Sequence, residues 1–407
     1  MIKQNNSDKA HIVLFIYWFV LLVWQNVRSV GNRGAVDTFI KAGLIMIFIF
    51  YFCSQTRRLK LYPLIASLFL AICAIVTLVS SSEISFSMIL YYLYPVFLYF
   101  IVYSVGWDTQ INKKQMISLM HWTIMVVTYI VVYAIIFCRD QFVSAFTISS
   151  AYGNELCSFL ISNHEYGMYL SYGIMAIFLC MDFSDNVSKW RKSFYTIGII
   201  AFFVNLVLTF SRTALVSFLA MFAIYVFFCA KKSMKTMLIF IVFTVVLVIF
   251  LVPQLNNFIV AIVFKGGNDA GRSELSQLGF TVFKEASYFQ KLFGDANVIE
   301  RIEAISDHHN LHNGYLQMLV SNGIKGVAFL LLIIYSTFRE NFYMKNCSKK
   351  EKNLCRIFNG FLIAAAFSML TNTSTLFYSS IDSYFLTLFA IIIPKYVRNA
   401  IKNGTFE

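Results

Sequence analysis

Long apolar runs, each separated from the next by a short polar connector, follow one another along almost the whole sequence. A run of roughly 17–25 apolar residues is long enough to cross a bilayer as a helix. On that measure, and on the polar flanks, the chain predicts about twelve membrane-spanning helices. They fall over 11–27, 36–53, 61–80, 84–106, 116–138, 158–181, 193–210, 213–230, 234–252, 316–338, 357–370 and 383–395. The runs do not alternate with a period of two, which excludes a transmembrane barrel. No small-residue cleavage site follows the first run, so it reads as a retained span and not as a signal peptide. The expected fold class is all-α: one polytopic helical membrane domain across 1–407, with a single large loop at 253–311.

Two places break the apolar pattern in an informative way. The run over 193–230 would be about 57 Å long as one helix, about twice the hydrocarbon thickness. It must therefore cross, turn and return. The only charge in its middle is Arg212, in TFSRTAL. An arginine at the bilayer centre costs at least about 2.5–3.5 kcal/mol on insertion scales, so the turn is expected at Ser211–Arg212. Arg212 then serves either as a headgroup anchor or as a functional cation. The second place is Asp307 to Gly326, DHHNLHNGYLQMLVSNGIKG, which holds His308, His309 and His312, three of the six histidines. From His312 onward the spacing predicts a helix with His312, Tyr315, Leu316 and Leu319 on one face. Gly323 and Gly326 mark a break or a close approach.

Composition sharpens this picture. The 407 residues are 59% hydrophobic and 13% charged, against about 45–50% and about 25% in soluble domains. The net charge of +13 would suit a nucleic-acid partner were it not distributed by connector. Arg57, Arg58 and Lys60, Lys113 and Lys114, Lys189 to Lys192, Lys231 to Lys235, and Arg339 to Arg356 fall on one side, with both termini; the opposite connectors are poor in lysine and arginine apart from Arg28 and Arg33. Positive connectors stay cytoplasmic. Both termini are thus expected inside and 253–311 outside, and no nucleic acid is implied. The eight cysteines contain no C-x-x-C pair, which argues against zinc or dithiol chemistry. Cys138 and Cys157 flank one connector and leave a disulfide open there.

Within the large loop, Asp269 to Arg272 reads as a turn opening an amphipathic helix from Ser273 to about Ala286. Arg272 there is a surface charge or a site residue. Asn163, His164 and Glu165 fall near the same side as the loop, at the edge of the sixth span. An ionisable pair there marks a site or a water-filled cavity, or else caps the helix.

Three features thus occur in order on one side: Ser211–Arg212, Gly271–Arg272, and the H-N-x-Y-L-x-x-L-x-x-x-G-I-x-G pattern from His312 to Gly326. Together they resemble the O-antigen ligase and polymerase superfamily of bacterial envelope polysaccharide enzymes, best over about 163–331. The resemblance implies a fold similar to membrane glycosyltransferases of the GT-C type. It implies glycan transfer outside the cytoplasmic membrane from an undecaprenyl-pyrophosphate-linked donor to a glycan acceptor, with no cofactor and no metal. It carries Arg212 and Arg272 over as pyrophosphate ligands and His312 as the catalytic residue, either a general base or a hydrogen-bond donor to pyrophosphate. Asn313, Tyr315, Asn163, His164 and Glu165 are supporting candidates. Membrane lipid, a chain-length regulator and a flippase are the implied partners.

Polymerisation of lipid-linked repeat units into O-antigen or capsular polysaccharide is the favoured activity, because the loop is modest and no feature points to a lipid A partner. Ligation to lipid A core or another acceptor is the alternative. A flippase is more remote, since ion-coupled transport needs charges near mid-membrane and Lys41, Glu165, Lys325 and Asp382 lie towards span ends. A metal held by Asp307, His308 and His312 lacks an accompanying D-x-D motif, and a purely structural scaffold leaves the histidine and arginine cluster unexplained.

Overall fold

A computed structural model describes residues 60–81, 84–147, 155–160, 162–184, 187–229, 272–306, 311–372, 376–377 and 381–406. Among them every regular element is helical. In chain order the helices are α1 (Leu61–Val79), α2 (Phe86–Tyr99), α3 (Lys113–Phe137), α4 (Arg139–Thr147), α5 (Asn163–Phe183), α6 (Lys189–Leu208) and α7 (Arg212–Cys229). Then come α8 (Arg272–Glu285), α9 (Tyr288–Phe293), α10 (Val298–Ile305), α11 (Gly314–Phe342), α12 (Lys349–Met369), α13 (Ile381–Thr387) and α14 (Ile393–Lys402).

Eight helices among the described residues are long and apolar enough to cross a membrane. They coincide with eight of the expected spans. The expected spans at 11–27, 36–53 and 234–252 lie outside the described residues, as does the loop stretch 253–271. The remaining one, 357–370, falls within α12. That helix is not among the eight, because its first half carries Lys349, Lys350, Glu351, Lys352, Asn353 and Arg356. The described part of the expected loop is itself helical, as α8 to α10.

The chain divides into two compact units. The first contains α1, α2, α8 to α11, α13 and α14. The second contains α3 to α7 and α12.

In the first unit, α1 and α2 pack side by side and the loop helices seat on one end of them. Thr77 Oγ1 donates to the Phe293 carbonyl at 2.9 Å, and Ser81 Oγ to Asn297 Oδ1 at 2.7 Å. The Tyr92 hydroxyl reaches the carbonyls of Asp295 at 3.3 Å and Ser321 at 3.2 Å. Two glycines make this closure possible. Gly294 (φ 97°) and Gly323 (φ 69°) lie where the backbones of α9 and α11 meet. A Cβ on Gly294 would strike the Ser321 carbonyl, and one on Gly323 the Leu292 carbonyl. Both conformations also belong to the left-handed region that glycine adopts without penalty. At the other end, Arg398 is 3% exposed and is held by Asn341 and by Glu340 at 2.7 Å. Lys395 Nζ donates to the Val102 carbonyl beneath the Tyr103 ring. Both halves of this contact sit beside π-helical turns, Phe100–Val105 and Leu388–Ile392. The second precedes Pro394, whose missing N–H a wider turn accommodates.

In the second unit α5 is the buried centre, flanked by α3, α6, α7 and α12. Small residues allow this: a Cβ on Gly167 would collide with that of Ala214, and one on Gly173 would meet Val127. Tyr166 donates to Asn205 Oδ1 at 2.9 Å, tying α5 to α6. Tyr172 and Ser217 donate to the carbonyls of Phe361 and Ala364, holding α12. At the end opposite Asn163, Tyr225 donates to Asp182 at 2.7 Å and His121 Nε2 lies 2.7 Å from the Tyr195 hydroxyl. Cys138 and Cys157 are both free thiols.

Candidate active site

The candidate residues fall in both units, and each set has its own local construction.

In the second unit the turn between α6 and α7 is short. The backbone of Phe210 takes φ 50°, a region L residues seldom occupy. This reverses the chain in three residues and presents Ser211 as the N-cap of α7. Ser211 Oγ accepts from the Ala214 amide at 3.2 Å, leaving Arg212 as the first helical residue. The start of α5 is joined to the same turn. Ser162 Oγ caps α5 by accepting from the His164 amide at 3.1 Å. Asn163 Nδ2 donates to the Thr209 carbonyl at 2.9 Å, and His164 Nδ1 lies 2.7 Å from Ser211 Oγ. Asn163 and His164 thus clasp the turn that carries Arg212, and Glu165 sits in the same first turn of α5. Two helix N-termini converge beside one arginine. Each carries about half a positive charge from its macrodipole, and anions bind at such ends. The sequence held a signal for the cap in the S-x-x-E spacing of Ser162 and Glu165. The bond from Asn163 to Thr209, spanning 46 residues, had none.

In the first unit, His312 is exposed and its backbone takes φ 46°. Asn313 follows as the N-cap of α11, its Oδ1 accepting from the Leu316 amide at 3.1 Å. This corrects one expectation: His312 does not share the helical face of Tyr315, Leu316 and Leu319. A cap residue has extended backbone, here φ −145°, so helical periodicity starts only after it. Leu311 on one side and Leu316 on the other are buried in a cluster with Val282, Val298 and Ile302. The imidazole is therefore mounted between two apolar anchors on a left-handed residue. Such backbone costs on the order of 1–3 kcal/mol and persists only where the surroundings enforce it. Gln317 adds a polar brace, accepting from the Leu311 amide at 3.3 Å and donating to Ser321 Oγ at 3.2 Å. Tyr315 is partly buried on the first turn of α11.

Arg272, expected as the last residue of the turn, is the first residue of α8. That helix packs directly on the His312 segment, for a Cβ on Gly279 would meet Leu311 and Leu316 within 3 Å. Asp307, His308 and His309 lie outside the described residues. No group of three or more potential metal ligands occurs among the described residues.

Residues 197–331 match a family model described as O-antigen ligase (Wzy_C). The match covers residues 197–331 of the 407 and supports the resemblance to the O-antigen ligase and polymerase superfamily. The matched stretch runs from the body of α6 into α11. It takes in Arg212, Arg272 and His312 and stops short of Asn163, His164 and Glu165 at the start of α5. No curated protein matches the chain. That similarity supports an enzyme of glycan transfer.

Proposed function

We propose that the protein is an extracytoplasmic glycosyltransferase that polymerises undecaprenyl-pyrophosphate-linked repeat units into O-antigen or capsular polysaccharide. The observation that carries the reading is the family match over Arg212, Arg272 and His312, with each residue mounted at the start of a helix. An acceptor sugar hydroxyl attacks the anomeric carbon of the donor. A new glycosidic C–O bond forms, and the bond from that carbon to pyrophosphate breaks. The electron pair leaves with the lipid pyrophosphate, and the hydroxyl proton passes to His312. General-base assistance of this kind contributes about 10²–10⁴-fold. Arg212 and Arg272 hold the leaving group, because a guanidinium keeps its charge and meets phosphate oxygens in a fork. Stabilising charge as it develops is where such groups act most strongly. The energy comes from the donor bond, so neither a metal nor a nucleotide is needed.

The orientation belongs to the same proposal: a cytoplasmic-membrane protein with both termini inside and the site outside. In the second unit the helix starts at Lys113, Lys189 and Lys349 lie opposite Asn163 and Arg212, with Lys350 over the Phe183 ring at the far end of α5. In the first unit Lys60, Arg339, Lys395, Arg398 and Lys402 lie away from His312. Such basic ends favour the cytoplasm.

The description of the matched family favours ligation to lipid A core or another acceptor as a second reading. The surface glycan of a deletion strain separates the two. Single-repeat glycan on the surface is the result expected for lost polymerisation. Long chains stranded on carrier lipid would contradict it and point to ligation.

A further inference from the structure

The break at Gly323 (φ 69°, ψ −174°) divides α11. The part before it packs beneath the loop helices, through Leu316 and Val320. The part after it, up to Phe342, has about 20 residues and is about 30 Å long, the thickness of the hydrocarbon core. Lys325 therefore lies just inside the membrane boundary on the His312 side. Thr77, near the end of α1, lies at the same height, since Lys325 Nζ is 3.5 Å from its Oγ1.

A lysine at this level ordinarily extends its ammonium towards water. Lys325 is instead half-buried. Its Nζ sits 5.3 Å from the centre of the Phe293 ring, and among the described residues no carboxylate pairs with it. The Thr77 oxygen is its one described hydrogen-bond partner, at the limit of bonding distance. An ammonium has three donors, so donor capacity remains. Lys325 and Asn322 border a cavity of about 80 Å³ between α1, α2 and α11. Deeper in, its walls include Leu70, Ala74, Val96, Phe329, Leu330 and Ile333. A water needs only about 10–15 Å³ and two to four polar partners. This cavity has room for several heavy atoms, and most of its lining is apolar, with Tyr91, Tyr92, Asn322 and Lys325 supplying its polar groups.

We propose that this cavity seats the headgroup-proximal carbons of one chain of an anionic membrane phospholipid, with Lys325 paired to its phosphodiester. An apolar slot topped by a cation at headgroup height matches a lipid in which a chain and a phosphate are covalently joined. One lysine balances the single charge of a phosphodiester. The pyrophosphate of a glycan donor carries more, and the two arginines serve that group in the proposed reaction. The inference does not depend on that reaction.

The test uses purified full-length protein in phosphatidylcholine nanodiscs, titrated with phosphatidylglycerol. Retained lipid is counted by native mass spectrometry after mild extraction. Wild type is expected to keep one phosphatidylglycerol in preference to phosphatidylcholine. Lys325→Gln should weaken retention at least about fivefold, since one lysine near a lipid phosphate is worth about 1 kcal/mol, and Lys325→Arg should preserve it. Ala74→Phe, which fills the slot and leaves the charge, should lose the lipid as well. Equal retention of both lipids by wild type would overturn the proposal without any variant having to fold. Unchanged retention by Lys325→Gln would overturn it too. So would one-for-one displacement of phosphatidylglycerol by undecaprenyl pyrophosphate, which would make the slot part of the donor site.

Discussion

At the scale of single residues, the two sides of the proposed chemistry are built in related ways. Phe210 precedes the Ser211–Arg212 turn, His312 precedes its own cap, and both take left-handed backbone. For His312 this allows strain and chemistry to be separated. His312→Gly relieves the backbone and removes the imidazole, so it should fold at least as stably as wild type and be inactive. His312→Ala should lose activity and also bear the strain. Thermal unfolding and transfer rate, measured on the same preparations, check this; an active His312→Gly would remove the imidazole from the mechanism. Arg212 is the second residue to test. Because lysine keeps the charge but loses the fork, Arg212→Lys should recover only a small part of the activity that Arg212→Ala loses, at equal membrane abundance. Full activity of Arg212→Ala would end its assignment as a pyrophosphate ligand. Both residues stood out as candidates in the sequence, Arg212 as the one charge inside a long apolar run and His312 as part of the polar, histidine-rich stretch that precedes another. The left-handed backbone at His312 was not legible, since histidine carries no mark of it; the periodicity from His312 to Leu319 pointed instead to a continuous helix.

At the scale of elements, the joint between α9 and α11 decides whether the loop helices seat correctly. Gly323→Ala places a methyl group against the Leu292 carbonyl at a left-handed position. It should destabilise the protein by more than about 1 kcal/mol, seen as a lower midpoint in detergent thermal unfolding. Gly198→Ala in α6 is the matched control. Its Cβ would meet only the tip of Ile177, at 3.1 Å, and alanine gains up to about 1 kcal/mol over glycine in a helix interior. An unchanged midpoint for Gly323→Ala would show that the joint is not tight. The apolar runs disclosed the helices themselves, but not where their geometry bends. Gly323 was visible as punctuation, whereas its partner Gly294 is distant in sequence and becomes significant only when the backbones meet. In α12 the hydropathy pattern pointed to a span starting at Ile357; the helix begins two turns earlier, because lysine, glutamate and arginine propagate a helix well.

At the scale of the whole molecule, the account rests on an orientation and on a reaction. Cysteine-free protein carrying Ser273→Cys should label from outside intact cells, and Lys349→Cys only after permeabilisation; the reverse would place the proposed site on the wrong side for a lipid-linked donor presented outside. The proposed orientation rests on the distribution of lysines and arginines along the sequence. The sequence could not disclose that Asn163 and His164 clasp the turn carrying Arg212, because contacts at that separation leave no local pattern. The reaction is tested most directly by purified protein, lipid-linked repeat-unit donor and the same lipid-linked unit as acceptor, with chain length read on a gel. Wild type is predicted to build a ladder of products in the presence of a metal chelator. His312→Ala is predicted to build none, while His308→Ala and His309→Ala remain close to wild type. A ladder from His312→Ala at a near-wild-type rate, or an equal loss in all three variants, would contradict the account.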